Sequence, residues 1–134
     1  MHIQIVTPHG RIFDAPGMGV RVESAMGQIE VLPDHEPIIA ALDIGAAVVK
    51  GGENDLHFAL NHGYVEVLNN RIEIVVETAE QATDIDVQRA EASKAKAEEK
   101  LQELDQSQDT ERIAQVNEDL RLAEVRIAVG SQHG

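Results

Sequence analysis

All four prolines, Pro8, Pro16, Pro33 and Pro37, and eight of the ten glycines fall before residue 83, and Asp84–Val129 contains neither. Glycine and proline punctuate sheets and terminate helices, so this distribution separates a region of short strands and turns from a region of helix. It predicts an α+β chain: residues 1–83 as an antiparallel β-sandwich, residues 84–134 as an antiparallel two-helix hairpin.

In the first region apolar residues alternate at period two. Val20 and Val22 flank Arg21, Ile29 and Val31 flank Glu30, Val65 and Val67 flank Glu66, and Ile72 and Ile74 flank Glu73. One face of each strand therefore turns inward and the other meets water or a partner. Leu68-Asn69-Asn70-Arg71 lies between two such runs, and asparagine tolerates the positive φ angles of a tight hairpin. Gly51-Gly52 after Val48-Val49-Lys50 predicts another hairpin. About eight to ten short strands fit into this region, a density suited to a sandwich or flattened barrel.

The second region opens with Thr83-Asp84-Ile85-Asp86. Thr83 or Asp84 is expected to cap the first helix, and Asp86 suits the positive end of its dipole. Val87, Ala90, Ala97, Leu101 and Leu104 then make a narrow, alanine-rich stripe that lets a neighbouring backbone approach closely. Asp105-Gln106-Ser107-Gln108-Asp109 is a polar break with capping residues. Ile113, Val116, Leu120, Ala123 and Ile127 form the second stripe. Two helices joined by so short a loop pack antiparallel. Because both stripes are narrow, the hairpin is expected to be the less stable half.

Composition narrows the functional classes. Eleven basic residues against 24 acidic ones give a formal charge of −13. So acidic a chain is poorly suited to nucleic acid or to direct docking on anionic lipid, where phosphates reward Lys and Arg. Without cysteine there is no disulfide scaffold, thiolate zinc site or cysteine nucleophile. No apolar run approaches the roughly 20 residues that span a bilayer, and Met1-His2-Ile3-Gln4-Ile5 already has strand patterning rather than that of a signal peptide, so a soluble chain is expected. The six histidines show no ligand spacing: His57 and His62 have no carboxylate placed between them, and His35-Glu36 is not part of a His-Glu-x-x-His pair. There is no phosphate-binding Gly-x-x-x-x-Gly-Lys loop and no Gly-x-Ser-x-Gly elbow. No metal site and no catalytic centre are expected.

Four stretches, in this order, resemble a known family: Val6-Thr7-Pro8 leading to Ile12-Phe13-Asp14; Gly27-Gln28-Ile29-Glu30-Val31-Leu32-Pro33-Asp34-His35-Glu36-Pro37; Gly63-Tyr64-Val65-Glu66-Val67; and Ile85-Asp86-Val87-Gln88-Arg89-Ala90. The second is the most specific, since a Gly-x-x-x-x-x-Pro-x-His-x-Pro loop after an amphipathic strand has no generic structural origin. The chain resembles the ε subunit of bacterial and chloroplast F-type ATP synthases, the equivalent of the mitochondrial δ subunit. The resemblance implies a non-catalytic central-stalk subunit. It would couple ion-driven c-ring rotation to ATP synthesis through the γ subunit and oppose ATP hydrolysis when its helices extend into the catalytic α/β head. It also implies a peripheral place on the cytoplasmic face of a bacterial membrane, or on the thylakoid membrane in a chloroplast. The alternative is a free-standing ATP-sensing adaptor with the same fold.

The resemblance further implies two sites. Gln28 with Pro33, Asp34 and His35 would face the c-ring loops, and the two prolines flanking Asp34-His35-Glu36 lower the ordering cost of presenting a polar tip. Gln28 stands where some members carry Glu. Glu80, Ile85, Asp86, Arg89, Ala90, Lys96 and Arg126 match positions with which some bacterial members bind ATP as a regulatory ligand. A further arginine of that site falls on Leu122 here, and Arg121 beside it is turned about 100° away on a helix. Losing one charge-assisted phosphate contact costs about 1.5–3 kcal/mol, or roughly tenfold to a hundredfold in affinity, so ATP binding is expected to be weak.

Overall fold

The computed structural model describes residues 1–134. Ten strands come first: β1 (His2–Thr7), β2 (Gly10–Pro16), β3 (Gly19–Ser24), β4 (Gly27–Val31), β5 (Ile38–Leu42), β6 (Gly45–Lys50), β7 (Leu56–Leu60), β8 (Gly63–Leu68), β9 (Arg71–Val76) and β10 (Ala79–Gln81). A 3₁₀ turn at Ala82–Asp84 leads to α1 (Val87–Glu103) and α2 (Thr110–His133). The α+β architecture, a β-sandwich followed by two helices, is that expected from the glycine and proline distribution.

The hydrogen-bonded strand order is β10-β7-β6-β3-β5-β8-β9-β1-β2, with β4 on the other side of β3. Strands β3 and β5 share only the Ser24–Leu42 rung, so the ladder folds over there into two five-stranded layers. All pairings are antiparallel except β1 with β9, where the first strand closes on the ninth in parallel. The inward residues of the alternating runs meet between the layers: Ile3, Ile5, Val20, Val22, Val65, Val67, Ile72 and Ile74 are all buried. With so few aromatics, Phe13 and Phe58 supply the one edge-to-face ring pair, centroids 6.0 Å apart, joining β2 to β7. Asn69 and Asn70 both adopt positive φ, 52° and 61°, in the β8–β9 turn. After Gly51-Gly52 the connection is wider than a tight hairpin, with β7 starting only at Leu56.

The start of α1 differs from expectation. Thr83 and Asp84 are consumed by the 3₁₀ turn, and Asp86 is the N-cap, its carboxylate accepting from the Arg89 N–H at 3.1 Å. A cap needs extended backbone before the first helical residue, and Asp86 has it at φ −82°, ψ 96°. In the interhelical loop Asp105 accepts from both the backbone N–H (2.9 Å) and the hydroxyl (2.7 Å) of Ser107. The Ser107 hydroxyl and N–H hold that carboxyl below its usual range.

Helix α2 runs through Gly130 to His133. A Cβ at Gly130 would lie 2.8 Å from Val87 Cγ2 and 3.1 Å from Ile85 Cγ2, so glycine is what lets α2 press against the start of α1.

Candidate functional site

The interhelical seam is lean. On α1 only Ala90 and Ala97 are fully buried, and on α2 only Val116, Ala123 and Val129. Between the helices a cleft of about 320 Å³ opens, lined in part by Lys96, Lys100, Asp119, Leu122 and Arg126. Three cations against one carboxylate make it a basic concavity on a strongly acidic chain.

Of the residues expected around a nucleotide, the structure brings Lys96 and Arg126 into this cleft. Glu80 stands at its edge on β10, where Arg126 Nε lies 2.6 Å from Oε1 and Nη2 donates to Oε2 at 3.2 Å. The buried Nε–H does not point squarely at its partner, so the fork is close but imperfectly aligned. Ile85, Asp86, Arg89 and Ala90 lie at the beginning of α1 and do not line the cleft. Asp86 is engaged as the cap, Arg89 is exposed, and Ala90 is buried in the seam. Leu122 does line the cleft, so its side chain puts hydrocarbon where the resemblance implies a cation. Arg121 turns to the sandwich and pairs with Asp43 at 2.9 Å. Lys100 is the cation that sequence reasoning missed; the signal was its i, i+4 spacing from Lys96.

The polar loop between β4 and β5 is exposed throughout. Asp34 adopts φ 67° and its N–H reaches Asn70 Oδ1 at 3.4 Å, tying the loop tip to the β8–β9 turn. His35 Nδ1 lies 2.7 Å from the Glu36 carbonyl. A carbonyl only accepts, so Nδ1 carries the proton and Nε2 of the neutral ring remains as an acceptor. Gln28 lies opposite Glu23 on the β3–β4 ladder and donates to its Oε1 at 3.2 Å. Beside this loop the sandwich exposes apolar surface: Ile39 is 73% exposed and Leu68 47%, flanking a shallow groove with Pro37, Ile38, Glu66 and Val67.

The hairpin meets the sandwich through a second stripe of α2 that apolar periodicity did not reveal. Glu118, Arg121, Val125, Val129 and His133 recur at three- and four-residue spacing, yet only two are apolar. Glu118 contacts His62 Nε2 at 3.1 Å, Arg121 contacts Asp43, and Val129 packs with Ala59 and Ala82, with Val125 beside them. The His133 ring stacks on that of His57. No group of three or more histidines and acids is arranged to hold a metal, and no helix is long and apolar enough to cross a membrane.

Residues 1–82 match the model of the ATP synthase delta/epsilon chain β-sandwich domain, and residues 83–130 match that of the long α-helix domain of the same chain. The chain belongs to the ATP synthase delta/epsilon family. The ATP synthase epsilon chain of Levilactobacillus brevis is 36% identical over 129 residues, covering 96% of this chain and 93% of that protein. The epsilon chain of Salinibacter ruber is 40% identical over 110 residues, covering 75% and 74%. Among solved structures, a chain of the Euglena gracilis mitochondrial ATP synthase assembly shares the delta/epsilon fold with a TM-score of 0.79 at 19% identity, over 98% of this chain and 80% of that one.

Proposed function

We propose that this chain is the ε subunit of a rotary F-type ATP synthase, a non-catalytic part of the central stalk that couples c-ring rotation to ATP synthesis through γ. The observation that carries this reading is the match to both family domains along nearly the whole chain, in one order. Two surfaces suit the role. The polar tip of Pro33, Asp34 and His35, with Gln28 at the other end of β4, presents hydrogen-bonding groups on a braced backbone and is assigned to the c-ring loops. The exposed apolar flank at Ile39 and Leu68 is assigned to γ, since it is continuous with Pro37, Ile38 and Val67 and contiguous apolar surface marks an interaction site. The chain would then be peripheral, held on the cytoplasmic side of the membrane by these partners. The sandwich, residues 1–83, is the binding unit and the hairpin, residues 84–134, the regulatory one.

The hairpin is proposed to leave the sandwich and extend along γ toward the catalytic head, restraining hydrolysis. Its dock suits reversal: fully burying a valine is worth about 1.5–3 kcal/mol, and exposed ion pairs about 0–1 kcal/mol each, so a small differential interaction can shift the population. From Asp109 to Gly134, however, Arg112, Arg121 and Arg126 face five acids, Asp109, Glu111, Glu118, Asp119 and Glu124. Attraction to an acidic head is therefore weak, and inhibition rests on packing of Ile113, Val116, Leu120 and Ile127 against γ. Deleting residues after Asp105 should raise hydrolysis only a few-fold, with little salt dependence. ATP binds weakly in the interhelical cleft as a regulatory ligand.

Coupling in membrane vesicles tests the reading. Gln28→Ala combined with His35→Ala should lower ATP-driven proton pumping relative to hydrolysis while thermal stability stays near the parent's, because a surface contact is lost without opening a cavity. Pumping in unchanged proportion to hydrolysis would remove the c-ring assignment.

A further inference from the structure

His57 on β7 and His133, the last residue of α2, lie face to face with ring centroids 3.4 Å apart and planes within 1° of parallel. This is the one ring contact between hairpin and sandwich; the other ring pair, Phe13 with Phe58, is internal to the sandwich. Aromatic pairs ordinarily sit offset or edge-on with centroids about 4.5–7 Å apart, so a parallel contact this close is tolerated only while no net charge opposes it. Two imidazolium rings at that separation repel, and no carboxylate stands between them.

The surrounding charges relieve that repulsion only in part. Asp55, just before β7, favours a proton on His57, while Arg21 on β3 and His133 itself oppose one. His133 itself sits in the last turn of α2. The outcome is a pair that accommodates one charge more readily than two.

We propose that the His57–His133 stack is an acid-released latch on the last turn of α2, closed while the rings stack and opened when both carry protons. Opening uncovers the small apolar cluster of Val129, Ala59 and Ala82 that the last turn overlies. Burial, with His133 next, holds His57 below the ordinary histidine value of 6.5. A lowered folded-state value means that the docked state gains its full contribution above about pH 6.5 and loses it as the pH falls through the lowered value.

Farther up the same helix the sign reverses. His62 lies between Glu118, at 3.1 Å, and Asp43, at 3.9 Å, so a proton on His62 strengthens that tie. Arg121–Asp43 and Arg126–Glu80 also tie this part of α2 to the sandwich. Acid therefore loosens the end of α2 while its middle stays held, and release proceeds from the C-terminus. The latch requires only the docked hairpin and is independent of whether the extended one restrains hydrolysis.

Amide hydrogen exchange on the free full-length chain, at pH 7.5 and 5.5 and corrected for intrinsic rates, tests this. Protection across residues 128–133 should fall roughly threefold or more at the lower pH, where a factor of ten corresponds to one pH unit of pKa difference. Protection across residues 113–120 should hold or rise. His133→Phe keeps a stacking ring without a titrating proton and should abolish the loss, as should His57→Phe. Loss of the pH effect in either variant supports the latch. Persistence in both, or a wild-type chain whose last turn is equally protected at the two pH values, overturns it.

Discussion

Arg126 and Glu80 meet edge to edge, Nε 2.6 Å from Oε1 and Nη2 3.2 Å from Oε2, so that a single ion pair joins α2 to β10. The same guanidinium lines the cleft between α1 and α2. Docking of the hairpin and binding of an anion in the cleft therefore draw on one cation, and each must bias the other.

Removing one partner should loosen the hairpin more than the pair's own modest strength indicates, because the Arg126 side chain is only 18% exposed and the remaining group is left without its counter-charge. Arg126→Ala or Glu80→Ala is expected to cost about 1–3 kcal/mol of docking, read as about fivefold to 150-fold faster amide exchange along α2. Glu80→Gln keeps an acceptor and should cost less. Exchange at the parent rate in all three variants would show that the pair does not hold the helix.

The apolar lining at Leu122 sets the second prediction. Leu122→Arg places a fourth cation, a guanidinium, beside Lys96, Lys100 and Arg126, and should tighten ATP binding about tenfold to a hundredfold in calorimetric titration, one charge-assisted contact being worth about 1.5–3 kcal/mol. Lys100→Ala should weaken binding more than Arg89→Ala, since Lys100 lines the cleft and Arg89 does not. The reverse order would place the nucleotide at the start of α1, around Asp86 and Arg89.

Acid should act on the two halves at different pH. In the sandwich, the hydrogen bond from His2 holds Asp14 below its usual value, and Lys50 does the same for Glu30. Carboxylates with lowered values contribute stability that is present above their ordinary range and lost as the pH falls through the lowered values, here below about pH 4. Circular dichroism should thus show an intact sheet at pH 5.5, with its acid transition below about pH 4. Coincident loss of sheet and helix signals near pH 6 would contradict this separation.

Much of the fold was legible because backbone chemistry dictates it locally. Asn69-Asn70 demanded positive φ, and period-two runs such as Val65-Glu66-Val67 demanded a buried face. The parallel closure of β1 on β9 was not legible: it pairs residues some 70 positions apart, and nothing in either strand names its partner. The same reasoning read the seam of α2 facing α1, which is apolar, and missed the seam facing the sandwich. Glu118, Arg121 and His133 occupy helical spacing there with Val125 and Val129, but charged residues at such spacing ordinarily mark a solvated face. Only the opposing Asp43, His57 and His62, distant in sequence, turn them into a dock. The helix cap was misplaced for a related reason: Thr83 and Asp84 have suitable side chains, but they belong to the 3₁₀ turn whose Ala82 packs with Val129, and the cap falls to Asp86.

Stoichiometric association with γ tests the central claim most directly. The chain and a truncation ending at Ala82 would each be co-expressed with a bacterial γ subunit and analysed by size exclusion with light scattering. The truncation uncovers little beyond Ala59 and Ala82 and retains the whole sandwich core. One-to-one complexes with γ for both, weakened by Ile39→Asp or Leu68→Asp, are the predicted result. A folded full-length chain that elutes alone beside γ would contradict the account.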